Sequence, residues 1–184
     1  MTYLLPSLRI WAATLAICVA GYVLLILGFA QAFASHQAQG SIIEVEGQAV
    51  GSELIAQGFS SPEYFWPRPS AVDHDGAGAG GSNWSPTSPD LAARAAETVA
   101  RYGATEAAPL PADLVAASGG GLDPHITLEG ALYQVERVAG ARGLQEDEVR
   151  RLVERMAESA GGPFAPDRIV NVLALNMALD EVTR

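Results

Sequence analysis

The 184-residue sequence contains no lysine and only one cysteine. A Walker A motif requires Gly-Lys-[Ser/Thr] and a protein kinase requires a lysine on its third strand, so the lack of lysine excludes both kinds of nucleotide site. The single cysteine, Cys18, excludes an internal disulfide and a zinc site built on cysteines. We interpret Cys18 as a small apolar residue, because it lies in a long apolar stretch.

Charge is absent from the N-terminal part of the chain, where no charged side chain stands between Arg9 and Glu44. Residues 10–30 are almost wholly apolar. As a helix, about 20 such residues span roughly 30 Å, the thickness of the hydrocarbon core of a bilayer. The pattern predicts a transmembrane helix over residues 10–33, with an N-terminal segment 1–9 before it and a connector 34–41 after it.

The charges that flank this predicted helix indicate its orientation. The α-amino group and Arg9 precede it, whereas Glu44, Glu46 and Glu53 follow it before any further arginine appears. Because positive charge is retained on the cytoplasmic side of a membrane, we expect a cytoplasmic N-terminus and an extracytoplasmic domain over residues 42–184.

A cleaved signal peptide is the alternative interpretation of the same stretch. Ala32 and Ala34 resemble a cleavage site before Ser35, and cleavage there would release a free periplasmic binding or interaction protein. The apolar region is longer than a typical signal peptide core, and Tyr3 and Trp11 suit the membrane interface. We therefore favour a retained anchor.

The remainder of the chain is strongly acidic. Residues 35–184 carry 21 acidic and ten basic residues, a net charge of −11, and every basic residue is arginine. Such a domain repels phosphate backbones, which argues against a nucleic-acid partner. The three histidines, His36, His74 and His125, show no metal-ligand spacing, so we predict no metal site.

Periodicity and capping residues predict a mixed α+β domain. Residues 42–54 alternate as a strand would, with Gly47 and Gly51 as turns or bulges, and residues 168–170 are predicted to be extended. The predicted helices are a helix capped by Ser88 and ended by Gly103, a helix from Thr127 to about Gly143, a helix over 145–160, and a last helix capped by Asn171.

Two motifs suggest catalysis or nucleotide binding, and each has a simpler interpretation. Ser118, Asp123 and His125 lie close together as in a hydrolase, but no Gly-x-Ser-x-Gly nucleophile elbow is present. Residues 76–81 satisfy Gly-x-Gly-x-x-Gly, but neither a buried strand precedes them nor a helix start follows them. We therefore expect a turn at Asp123 and a plain glycine-rich loop at 76–81.

Five arginines on two predicted helices form either an anion-binding site or a solvated helix face. They are Arg137, Arg142, Arg150, Arg151 and Arg155. They could form an anion site, but neighbouring glutamates make a solvated, ion-paired helix face the simpler interpretation, which we favour.

Six segments, in order, resemble the KdpC family, the C subunits of Kdp potassium-transporting P-type ATPases. They are residues 51–59, 64–71, 80–83, 118–126, 134–139 and 170–176. The sequence departs from the family pattern at His74-Asp75, where Tyr-Asn or Tyr-Asp is usual, and at Ala79, where serine is common.

The resemblance implies a non-catalytic subunit of a potassium uptake complex in the bacterial inner (plasma) membrane. The implied partners are a channel-like potassium-binding subunit and a P-type ATPase subunit, which hydrolyses ATP. The implied role is in assembly, with a further description as a catalytic chaperone that raises ATP affinity. No firmly bound cofactor is implied; ATP would act through the complex, and potassium is the transported ion.

The resemblance also implies candidate site residues. Gln134 matches a family glutamine proposed to act in nucleotide binding, and Arg137 lies in the same segment. Residues of the matching loops are implied to serve partner contacts or loop structure: Tyr64, Phe65, Arg68, Pro69, Ser70, Gly80, Gly81, Ser82, Asn83, Asp123, Asn171 and Asn176.

Overall fold

The structure, a computed structural model, describes residues 3–159, 161 and 167–182. The chain divides into two compact units, Met1–Val50 and Gly51–Arg184. The first unit begins with one helix over Leu4–Phe33, which is long and apolar enough to cross a membrane. This helix consists of α1 (Leu4–Leu15), a π-helical segment (Ala16–Gly21) and α2 (Tyr22–Phe33), and none of its residues is buried. It starts at Leu4, ahead of the span predicted from residue 10.

A β-hairpin follows a short helix α3 (Ser35–Ala38). Strands β1 (Ile42–Val45) and β2 (Gln48–Ser52) pair with each other, and the turn between them places Glu46 and Gly47 at φ values of 53° and 78°. Two consecutive positive φ angles are typical of the tight turn that matches strand twist. The predicted strand region is therefore a hairpin, with a turn at Gly47 but none at Gly51.

The second unit packs helices around one hydrophobic core. Its helices are α4 (Pro89–Tyr102), α5 (Ala112–Val115), α6 (Leu128–Tyr133), α7 (Val135–Arg142), α8 (Glu146–Met156) and α9 (Val172–Val182). Strands β3 (His125–Thr127) and β4 (Ile169–Asn171) form an antiparallel pair in which Ile126 faces Val170 across the ladder. The predicted α+β class is confirmed, and side chains of α6–α9, both strands and Phe65 fill the core.

Local capping signals explain where α4, α6 and α9 start and where α4 stops. Ser88 accepts a hydrogen bond from the backbone N–H of Asp90, and Gly103 ends α4 with a left-handed φ of 66°. Thr127 caps α6 through the N–H of Gly130, and Asn171 caps α9 through the N–H of Ala174. These predicted caps are confirmed.

Two predicted helices differ from the observed ones. The helix predicted from Thr127 to Gly143 is divided at Gln134, whose N–H bonds to Ala131 three residues back instead of four. The helix predicted to end at Ala160 ends at Met156, because the backbone of Glu158 turns to pair with Ile169 through bonds of 2.9 and 2.8 Å. Ala160 itself lies outside the described residues.

Candidate functional site

Two side-chain amides hold the Phe65–Trp66 dipeptide in the centre of the second unit. Asn176 accepts a hydrogen bond from Phe65 N–H (2.8 Å) and donates one to Phe65 C=O (3.0 Å). Gln134 does the same for Trp66, at 2.8 and 3.1 Å. We call Gln134 and Asn176 the amide clamp. It satisfies four buried backbone groups in a segment that pairs with no strand among the described residues.

Gln134 uses its whole hydrogen-bonding capacity in this position. Its oxygen accepts a second bond from Arg137 (2.6 Å), and its nitrogen donates a second one to the carbonyl of Gly130 (3.3 Å). A glutamine amide has two donor hydrogens and two acceptor lone pairs, so all four are occupied. The side chain is 1% exposed. A nucleotide-related role for Gln134 stays a prediction, and this geometry favours an indirect one through Trp66.

Arg137 also binds the segment that carries Phe65 and Trp66. Its guanidinium donates to the carbonyls of Pro62 (2.7 Å) and Tyr64 (3.0 Å) and lies 3.7 Å from the centre of the Trp66 ring. Burial lowers the pKa of Arg137 to about 10, so the group remains charged at neutral pH. Cation–π contact and charge-assisted hydrogen bonds thus fix the position of Trp66.

Arg142 extends this arrangement to the next aromatic residue. It donates to the carbonyl of Glu63 (2.7 Å) and to Asp180 (2.7 Å), and Tyr64 donates to the other oxygen of Asp180 (3.2 Å). The interpretation of Arg137 and Arg142 as members of a solvated, glutamate-paired face is therefore wrong. Local sequence patterns gave no indication of their hydrogen bonds to the three loop carbonyls of Pro62, Glu63 and Tyr64.

The loop around Arg68 and Ser70 is bound to the loop around Asp123. Arg68 donates to the Asp123 carboxylate (2.8 Å), and Ser70 donates to the carbonyl of Gly121 (2.7 Å). Ser118 N–H donates to the carbonyl of Pro69 (3.2 Å). These bonds join two segments about fifty residues apart along the chain.

Two glycines permit this close approach of backbones. A Cβ at Gly81 would lie 2.6 Å from the carbonyl oxygen of Gly119. Gly121 has a φ of +72°, and a Cβ there would lie 2.6 Å from Val72. Gly80 N–H donates to Gly120 (2.9 Å) between them. The predicted interpretation of residues 76–81 as a plain glycine-rich loop is confirmed, since neither a strand precedes them nor a helix follows directly.

The remaining predicted loop residues lie at the edges of this arrangement. Asn83 donates to the carbonyl of Gly81 (3.1 Å) and has a positive φ, while Ser82 beside it is half-buried. Asn171 donates to the carbonyl of Glu53 (2.9 Å) in addition to capping α9. These contacts show loop structure; partner contacts by the predicted residues stay a prediction.

The suggested hydrolase residues do not form a triad in the described part of the chain. The Ser118 hydroxyl accepts from the backbone N–H of Asp123 (3.4 Å), and Asp123 accepts from the backbone N–H of His125 (3.0 Å), as in the predicted turn. The His125 ring lies beside Asp123 (3.6 Å) and Glu158 (4.0 Å). Within residues 3–159, 161 and 167–182, no group of three or more His, Cys, Asp or Glu residues is placed to hold a metal ion.

Asp123 should make stability sensitive to acid. The hydrogen bond from His125, with a further contribution from Arg68, lowers the pKa of Asp123 from 3.8 to about 2. Because the folded pKa lies below the unfolded one, the contribution is complete above pH 3.8 and is lost as the pH falls toward 2. We expect thermal midpoints of the wild type to fall more steeply over this range than those of Asp123→Asn. Parallel curves for the two proteins would contradict this.

Several contributing residues had no signal in the sequence. Arg101 lies 4.0 Å from the Trp66 ring, Asp180 receives Arg142, and Asp113 accepts from the N–H of Thr127 (2.7 Å). Each is a charged residue on a helix whose local pattern predicts solvent exposure. Only knowledge of the tertiary contacts identifies their roles.

Comparison with known proteins finds a family match over almost the whole chain. A family model described as KdpC: K+-transporting ATPase, c chain, matches residues 4–181. The chain belongs to the KdpC family. The matched range contains both the apolar helix and nearly all of the second unit.

Curated relatives of the KdpC family match over nearly their full lengths. The Potassium-transporting ATPase KdpC subunit of Parvibaculum lavamentivorans is 57% identical over 99% of this chain and 98% of its own length. The subunits of the same name from Cereibacter sphaeroides and Sorangium cellulosum are 47% and 46% identical, each over 98% of this chain and 97% and 98% of their own lengths. The chain is thus a membrane-associated subunit of a potassium-transporting ATPase, and the name subunit implies partner polypeptides.

Proposed function

We propose that this chain is a non-catalytic accessory subunit that helps to assemble the potassium-transporting complex. The supporting observation is the Leu4–Phe33 helix, which is apolar and has no buried residue. Such a surface is unfavourable in water, so lipid and partner helices must cover it. The small residues Ala12, Ala16 and Ala20 would allow a partner helix to approach closely.

We assign the chemistry of the complex to its partners, a P-type ATPase subunit that hydrolyses ATP and a channel-like subunit that binds potassium. The polar side chains of the second unit support this assignment, because those most capable of chemistry hold its loops together. Asp123 binds Arg68, and Ser118 accepts from a backbone N–H. In this proposal the chain binds no cofactor firmly, and ATP acts through the complex.

Any effect of this chain on ATP affinity would be indirect in this proposal. The flanking charges predict an N-terminus in the cytoplasm and a second unit outside the inner (plasma) membrane, away from cytoplasmic ATP. Gln134 and Arg137 would then act by fixing Trp66 and the loop that carries it. A partner subunit would transmit the position of this loop across the membrane.

A cysteine-labelling experiment on the assembled complex tests the proposal. In a Cys18→Ala background, Ser60→Cys places one thiol on an exposed residue of the second unit, and Ser7→Cys places one near the N-terminus. We expect a membrane-impermeant maleimide to label Ser60→Cys in intact cells, and Ser7→Cys only after permeabilisation. The labelled chain should then co-purify with an ATPase and a channel-like polypeptide.

Two results would contradict the proposal. Labelling of Ser7→Cys alone in intact cells would reverse the orientation. A mature chain lacking residues 1–34, recovered without partners, would favour the free periplasmic protein released from a signal peptide.

A further inference from the structure

A pocket lies between helix α4 and the loop that follows Trp66. Its volume is about 340 Å³. Helix α4 contributes Arg94, Thr98, Arg101 and Tyr102, which recur at the spacing of one helix face. Arg94, Thr98 and Tyr102 are half-buried, so this face of α4 is only partly open to solvent.

Arg94 carries one unused, enclosed hydrogen-bond donor beside this pocket. Within the described ranges its Nε is buried and has no hydrogen-bond partner. The group lies 4.6 Å from the centre of the Trp84 ring. Cation–π contact offsets part of the cost of burial, but it leaves the Nε donor of Arg94 unsatisfied.

Arg101 and Tyr102 add further donors to the same lining. Arg101 lies 4.0 Å from the Trp66 ring and makes one long hydrogen bond, of 3.4 Å, to the carbonyl of Phe59. Among the described residues, the buried Tyr102 hydroxyl has no hydrogen-bond partner. Burial raises the pKa of Tyr102 to about 12, so the hydroxyl keeps its proton. The lining therefore contains two enclosed donors, the Arg94 Nε and the Tyr102 hydroxyl, that no described residue satisfies.

The lining is much less acidic than the domain. Arg94 and Arg101 balance Asp73 and Glu97 in the lining, whereas the domain as a whole has a charge of −11. Arg68 is already paired with Asp123, outside the lining. Among the described residues, no ion pair joins Asp73 or Glu97 to Arg94 or Arg101.

We propose that this pocket binds a carboxylate group. Guanidinium forks match the planar geometry of a carboxylate, and partly enclosed pairs of this kind are stronger than exposed ones. A volume of about 340 Å³ fits a small organic acid or one acidic side chain. The proposal does not depend on the orientation or the assembly role of the chain.

Calorimetric titration of the full-length chain in detergent with sodium succinate and sodium citrate tests the proposal. We expect saturable binding that Arg94→Gln weakens about tenfold or more, since it removes a charge-assisted hydrogen bond. Glu97→Gln should tighten binding, because it removes a like charge from the lining. Arg150→Gln, an exposed arginine on α8, serves as the matched control and should leave binding unchanged.

The same variants distinguish a free acid from a side chain of a partner subunit. Suppose that neither acid binds. If Arg94→Gln then lowers the retention of the partner subunits during purification and Glu97→Gln raises it, the carboxylate belongs to a partner subunit. If either acid binds and Arg94→Gln leaves its affinity unchanged, the proposal is overturned. It is also overturned if neither acid binds and both variants leave the retention of the partner subunits unchanged. The opposite sign expected for Glu97→Gln excludes simple misfolding as the cause.

Discussion

Replacing Gln134 with leucine is expected to lower the free energy of unfolding by about 3–5 kcal/mol, because it leaves two buried groups of Trp66 unpaired at about 1–3 kcal/mol each and removes an acceptor from Arg137. Leucine has a similar volume, so the loss would come from hydrogen bonding and not from a cavity. A loss of this size is a large part of the stability of an ordinary domain.

Urea titration of the full-length chain in detergent, followed by tryptophan fluorescence, measures this loss. Gln145→Leu is the matched control, since Gln145 is exposed and its replacement should change stability by no more than about 0.5 kcal/mol. A Gln134→Leu chain as stable as the wild type would show that the amide clamp is unimportant. If that chain also lowered the ATP affinity of the complex, a direct nucleotide contact would be favoured.

Replacing Gly121 with alanine is expected to cost about 2–5 kcal/mol, the sum of about 1–2 for a left-handed residue with a Cβ and about 1–3 for overpacking. Gly121 has a φ of +72°, and the added Cβ would lie 2.6 Å from Val72 and 2.9 Å from the carbonyl oxygen of Gly80. The carbonyl oxygen of Gly80 belongs to the backbone, so it cannot move away without separating its loop from the loop around Gly121.

Gly120 provides an adjacent control for this substitution. A Cβ at Gly120 would meet nothing within 4 Å, and its φ is not in the left-handed region. Gly120→Ala should therefore be close to neutral in the same urea titration. Equal losses for the two variants would show that loop flexibility, and not the close packing at Gly121, decides the stability of this region.

The sequence predicted those parts of the fold that local interactions determine. Ser88, Thr127 and Asn171 cap their helices within two or three residues, so spacing alone identifies them. The apolar helix depends only on composition. The early end of α8 at Met156 could not be predicted, since it results from pairing of Glu158 with Ile169 across a turn.

The candidate site was predictable only in part. The resemblance identified Gln134, Arg137 and Asn176 as important positions, but not what they contact. Gln134 and Asn176 bind backbone groups 68 and 111 residues away in sequence. Neither hydrophobic periodicity nor helix capping predicts hydrogen bonds between residues so far apart in the sequence. The pocket beside α4 was missed for the same reason, because its unpaired arginine is visible only among its tertiary neighbours.

The amide clamp also has a consequence for the order in which the domain can mature. Asn176, which pairs with Phe65, lies 111 residues further along the chain, so the ribosome adds it long after Phe65. Until Asn176 is synthesised, the backbone of Phe65 lacks this partner, and the exposed aromatic residues can form wrong contacts. A chain terminated within α9 before Asn176 should therefore be retained by chaperones and degraded by proteases, whereas chains that include Asn176 can complete the domain.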